Sequence, residues 1–144
     1  MTNGSLPNGH TVEKAGPHRG KVRVLLADQS PALRREVRKS LQELPAIEIV
    51  GEAGSDNEAL RLCFQLEPGV LVLSTSLPEQ GGFEVLRRIK RTMTRCDVVL
   101  MSSRPCSFVE KAATLLGATA VCPIEEGFTQ LCDMLQRVSE KAAK

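Results

Sequence analysis

The chain of 144 residues has no tryptophan, no tyrosine, four phenylalanines and two histidines, His10 and His18, both among the first twenty residues. A domain built from the remainder has no imidazole for a catalytic triad or for metal ligation. No apolar run reaches the roughly eighteen residues needed to cross a bilayer. The N-terminus has no basic start followed by an apolar stretch, so the expected location is the cytoplasm. The five cysteines (Cys63, Cys96, Cys106, Cys122, Cys132) are odd in number, widely spaced and without a C-x-x-C pair. That pattern argues against a disulfide framework or a zinc site and fits a reducing compartment. A net charge of +2 is too small to single out nucleic acid or an anionic membrane as partner.

What is present suffices for one domain with an ordinary core, 42% of the residues being hydrophobic. Residues 1–20 are rich in Asn, Gly, Pro and Ser and poor in apolar residues, which predicts a disordered lead-in before a domain over 21–144. From Lys21 onward, strand and helix signals alternate. Val22–Ala27 is a short apolar run, and Ser30-Pro31 predicts a helix start that carries Leu33, Val37, Leu41 and Leu44 to a stop at Pro45. Strands are expected at 47–50, 70–73, 98–101 and 119–122. Helices are expected from a Ser55-Asp56-Asn57 cap to about Leu66, and over about 82–91, 108–116 and 128–142. Five strands alternating with five helices through short connections imply a parallel sheet covered on both faces, a flavodoxin-like (βα)5 sandwich of strand order 2-1-3-4-5.

Specific residues sharpen this. Val22-Arg-Val-Leu-Leu-Ala-Asp28-Gln29-Ser30-Pro31, Ile49-Val-Gly-Glu-Ala-Gly, the strand Val70–Ser74 with Pro78 and Gly81-Gly82 after it, and Gly117-Ala118 together resemble a response-regulator (CheY-like) receiver domain. The pattern is most similar to receivers of the NarL/FixJ (LuxR-type) family. That resemblance implies two adjacent acids after the first strand and a phospho-accepting aspartate ending the third, which together hold Mg2+. It also implies a Ser or Thr after the fourth strand and a Lys after the fifth.

Carried over position by position, this chain departs from the pattern. Asp28 matches the first acid, Gln29 replaces the second, and Ser74 replaces the acceptor. Ser102 fills the Ser/Thr place. Ile124 stands where the lysine should be, or Cys122 if Pro123 aligns with the family's proline. One carboxylate is a poor Mg2+ site, and a serine without a base is a poor nucleophile. No catalytic residue and no metal are therefore expected, with Mg2+ binding absent or very weak. Losing two of three clustered acids also removes repulsion, which predicts one stable resting conformation. The fifth strand carries Val121 where the family's switch has an aromatic.

The expected function is phosphorylation-independent signalling through a protein partner: a kinase, an output protein or a second copy. By resemblance the contact face is the fourth helix, fifth strand and fifth helix, about residues 107–137, with Phe108 and Phe128 as aromatic candidates unless they are core. The alternatives are a phosphoacceptor using an unconventional residue, or the receiver part of a transcription regulator. Cys106, with Arg104 as its one nearby cation, reads as a surface thiol rather than a sensor. The basic group Arg87, Arg88, Lys90, Arg91 and Arg95 has no interleaved aromatic and reads as a solvated helix face rather than a nucleic-acid site.

Overall fold

In the computed structural model, residues 21–77, 81–103, 106–124 and 127–142 are described. The readings placed on residues 1–20, Pro78 and Arg104 lie outside them. Ten elements alternate: β1 (Val22–Ala27), α1 (Pro31–Leu41), β2 (Ile47–Ala53), α2 (Asp56–Leu66), β3 (Val70–Ser74), α3 (Gly82–Thr92), β4 (Asp97–Ser102), α4 (Ser107–Leu115), β5 (Ala120–Pro123) and α5 (Thr129–Ala142). The strands form one parallel sheet in the order β2-β1-β3-β4-β5, the expected flavodoxin-like arrangement.

Side chains alternate across the sheet, so each strand feeds two cores. Leu25, Leu71, Leu73, Val98 and Leu100 pack under α2, α3 and α4 with Cys63, Leu86 and Ile89. Val24, Leu26, Val70, Val72, Val99 and Met101 face the other way, against Val37 and Leu41 of α1 and Leu131 and Leu135 of α5. β3, buried at all five residues, is the centre of the sheet.

Local chemistry sets the element ends. Ser30 caps α1 by accepting the Leu33 N–H at 3.1 Å, with Pro31 in the first turn. Ser55 does the same for α2 through Glu58 N–H. Gly117, at φ +100°, ends α4 in a conformation that strains residues bearing a Cβ. Two expectations need correction. α1 stops at Leu41 rather than Pro45, because the Gln42 N–H closes on Arg38 and Leu44 N–H turns back to the Leu41 carbonyl at 3.0 Å. β2 runs three residues past Val50. Its pairing with β1 slips after Val24–Ile49 and resumes at Leu25–Gly51, leaving Val50 as the bulged residue.

Candidate functional site at the strand ends

Parallel strands bring their carboxyl ends together, and in this sheet order β1, β3, β4 and β5 deliver Asp28, Ser74, Ser102 and Ile124 to one end. Asp28 is buried. Its N–H donates to Ala53 at 3.0 Å and its Oδ1 accepts the Ser30 N–H at 2.7 Å. The Asp28 carbonyl accepts from Arg34 Nη1 at 2.5 Å, while Arg34 Nε donates to Glu52 at 3.0 Å. Arg38 also pairs with Glu52. Gln29 is exposed.

Ser74 is buried at the tip of β3, opposite Met101. Its Oγ accepts the Ser76 N–H at 3.1 Å and lies 2.9 Å from Ser76 Oγ, a closed local turn of hydroxyls. The first residue of α3 sits directly against this tip, and the Thr75 N–H donates to Met101 O at 3.1 Å. Ser102 is buried opposite Pro123.

The two fifth-strand candidates flank Pro123. Ile124 N–H donates to the Ser102 carbonyl at 3.1 Å, and its side chain packs half-buried on the α1–α5 core. Cys122 lies one step deeper, paired with Met101. Ser102 thus has Pro123 opposite it, with Cys122 and Ile124 on either side of that proline.

The site presents one buried carboxylate, serine hydroxyls and an aliphatic side chain. Among the described residues no group of three or more His, Cys, Asp or Glu is placed to hold a metal.

The expected contact face divides in two. Val121 is half-buried against the α2–α4 core, and Phe128 is half-buried against the other core. Phe108 is not core: it is 78% exposed. Sequence reading missed Leu115, which is 87% exposed and seven residues on, hence on the same face of α4. Ala113 is the one residue of α4 that is fully buried. The available signal was the Leu115-Leu116-Gly117 helix end, where two adjacent leucines cannot both face the core.

Glu84 on α3 accepts from both Arg87 and Arg88, and those hydrogen bonds hold its carboxyl down at about 2. Burial pushes the Cys63 thiol up to about 12, with the neighbouring Cys96 adding to the shift, and pushes Cys96 and Cys122 up to about 11. Cys106, the N-cap of α4, is exposed.

Residues 24–136 match the profile of the response regulator receiver domain family. The chain is 30% identical over 121 residues to a protein-glutamate methylesterase/protein-glutamine glutaminase of Alkalilimnicola ehrlichii, covering 84% of this chain and 31% of that protein. It is 36% identical over 83 residues to the protein so named in Trichodesmium erythraeum, covering 58% and 24%. The chain thus spans about a third or less of these curated relatives. Among solved structures it resembles the signal receiver domain of NarL from Mycobacterium tuberculosis, with TM-score 0.77 and 24% identity over 83% of this chain and 97% of that one. It also resembles the response regulator domain of Thermotoga maritima CheB, with TM-score 0.74 and 23% identity over 85% and 96%. At these identities the structural likeness establishes the fold.

Proposed function

The chain belongs to the response regulator receiver domain family, and from that premise we propose that it signals without aspartyl phosphorylation, as a module that binds a partner protein. The observation that carries this reading is the tip of β3. Ser74 stands there, buried, with its hydroxyl closed onto Ser76. A carboxylate is deprotonated at neutral pH and attacks phosphorus directly; a serine hydroxyl needs a base, and the described residues contain no histidine. Charge developing on a transferring phosphoryl group needs cations nearby. Ile124 supplies none, and Asp28 with one oxygen already bonded is a weak anchor for Mg2+. We propose that the pocket is a structural cap of the sheet.

The partner face proposed is α4, β5 and α5, supported by Phe108 and Leu115 standing exposed along α4. Apolar side chains this large, aligned on one helix face, are what a protein partner covers. The methylesterase and glutaminase activities belong to the named relatives, of which this chain matches about a third or less.

Restoring the acidic set tests the assignment. Calorimetric titration with Mg2+ is expected to give no binding heat for the native chain and a saturable signal for the Gln29→Asp, Ser74→Asp, Ile124→Lys triple variant. Equal Mg2+ binding by both proteins defeats the proposal.

A further inference from the structure

The segment Glu84–Arg95 carries five basic residues and one acid, although the whole chain is only +2. The five are not equivalent. Arg87 and Arg88 share Glu84, and Lys90 Nζ is turned onto the Thr94 and Cys96 carbonyls at 3.2 and 2.9 Å. Arg91 and Arg95 are exposed and make no ion pair among the described residues, as is true of Lys111 on α4. This surplus adjoins the apolar stripe. The aliphatic chain of Lys90 lies over Gly117, where an added Cβ would meet its Cγ at 3.1 Å. The last turn of α3 is thereby held beside the end of α4, two residues from Leu115.

We propose that the α3–α4 face takes an acidic amphipathic segment of a partner protein, apolar residues covering Phe108 and Leu115 and carboxylates meeting Arg91, Arg95 and Lys111. This rests on the reading of α4 as a partner face and adds the chemistry of what binds. The stripe is about 10 Å long at 1.5 Å per residue, two turns of an opposing helix. Charge complementarity selects an acidic occupant. Nucleic acid fits less well: three unpaired cations are few beside the six or so phosphate contacts of a typical site, and Phe108, a single exposed ring beside them, does not make the row of stacking platforms that successive bases need.

The test is fluorescence anisotropy with two labelled helical peptides, one of Glu, Leu and Ala and one of Lys, Leu and Ala, against the full chain. The acidic peptide is expected to bind and the basic one not to. Arg91→Glu with Arg95→Glu should weaken binding roughly tenfold or more, while Arg35→Glu with Lys39→Glu on α1 should leave it unchanged. Phe108→Ala with Leu115→Ala tests the face separately. If that pair abolishes binding while the α3 reversal does not, the acidic occupant is wrong and the face stands. Equal binding of both peptides, or of neither, overturns the inference. So does a dimer in sedimentation that Phe108→Ala dissolves, since a second copy would then be the occupant.

Discussion

Gly82 lies so close to Ser74 that a Cβ on the glycine would come within 2.2 Å of the serine carbonyl oxygen and 3.0 Å of Thr75 Cα. The α3 N-terminus is thus seated on the end of the central strand, and both contacts are backbone, which cannot rotate away. Gly82→Ala is expected to destabilise the fold by about 2 kcal/mol, in the range of overpacked sites. Gly69→Ala, whose Cβ would meet nothing closer than 3.7 Å, is expected to stay within about 0.5 kcal/mol of the native chain. Urea unfolding followed by circular dichroism measures both, and equal effects contradict the packing described.

Arg34 ties α1 to two strands at once, through the Glu52 carboxylate and the Asp28 carbonyl. Its side chain is 17% exposed, so these bonds are partly shielded from water. Arg34→Ala is expected to cost roughly 1–3 kcal/mol, as for hydrogen bonds to charged partners. Arg34→Lys should recover only part of this, because an ammonium does not reproduce the planar fork. Full rescue by lysine in the same unfolding assay rules out the fork geometry as the cause.

Thiol chemistry separates the cysteines. Cys106 is exposed, whereas Cys63, Cys96 and Cys122 are buried with raised pKa values. Iodoacetamide at mildly alkaline pH is expected to modify Cys106 in the native chain and to reach those three only after unfolding, as peptide mapping will report.

The same shifts give stability a pH dependence. A buried thiol that holds its proton in the folded state supports folding fully below 9.0, its unshifted value. That support fades as pH rises toward about 12 for Cys63, because the unfolded chain ionises first. Stability should therefore decline above pH 9, and Cys63→Ala should lessen the decline. An identical slope in the variant contradicts the burial of that thiol.

Much of the fold was legible because its signals are local. The apolar runs of β1 and β3, the Ser30-Pro31 and Ser55 caps and the stop at Gly117 each report on a few adjacent residues. The residues read by position against the family pattern, Gln29, Ser74 and Ile124 or Cys122, needed only the local sequence. What escaped depends on partners distant in sequence. The apolar run that marks β2 in sequence ends at Val50, yet pairing with Leu25, Leu26 and Ala27 carries the strand on through Gly51 and Glu52 to Ala53. Leu115 reads as core by hydropathy, but Ala113 alone fills the fully buried place of α4 on the sheet and leaves Leu115 outside. The β4–β5 register, which sets Pro123 opposite Ser102 between Cys122 and Ile124, is encoded by no single segment.

Intact-mass measurement after incubation with acetyl phosphate and Mg2+ addresses the chemistry of the β3 tip without intermediaries. The expected spectrum is that of the unmodified chain. A species heavier by one phosphoryl group, present in the native protein and lost in Ser74→Ala, would mean that this strand end still accepts phosphate.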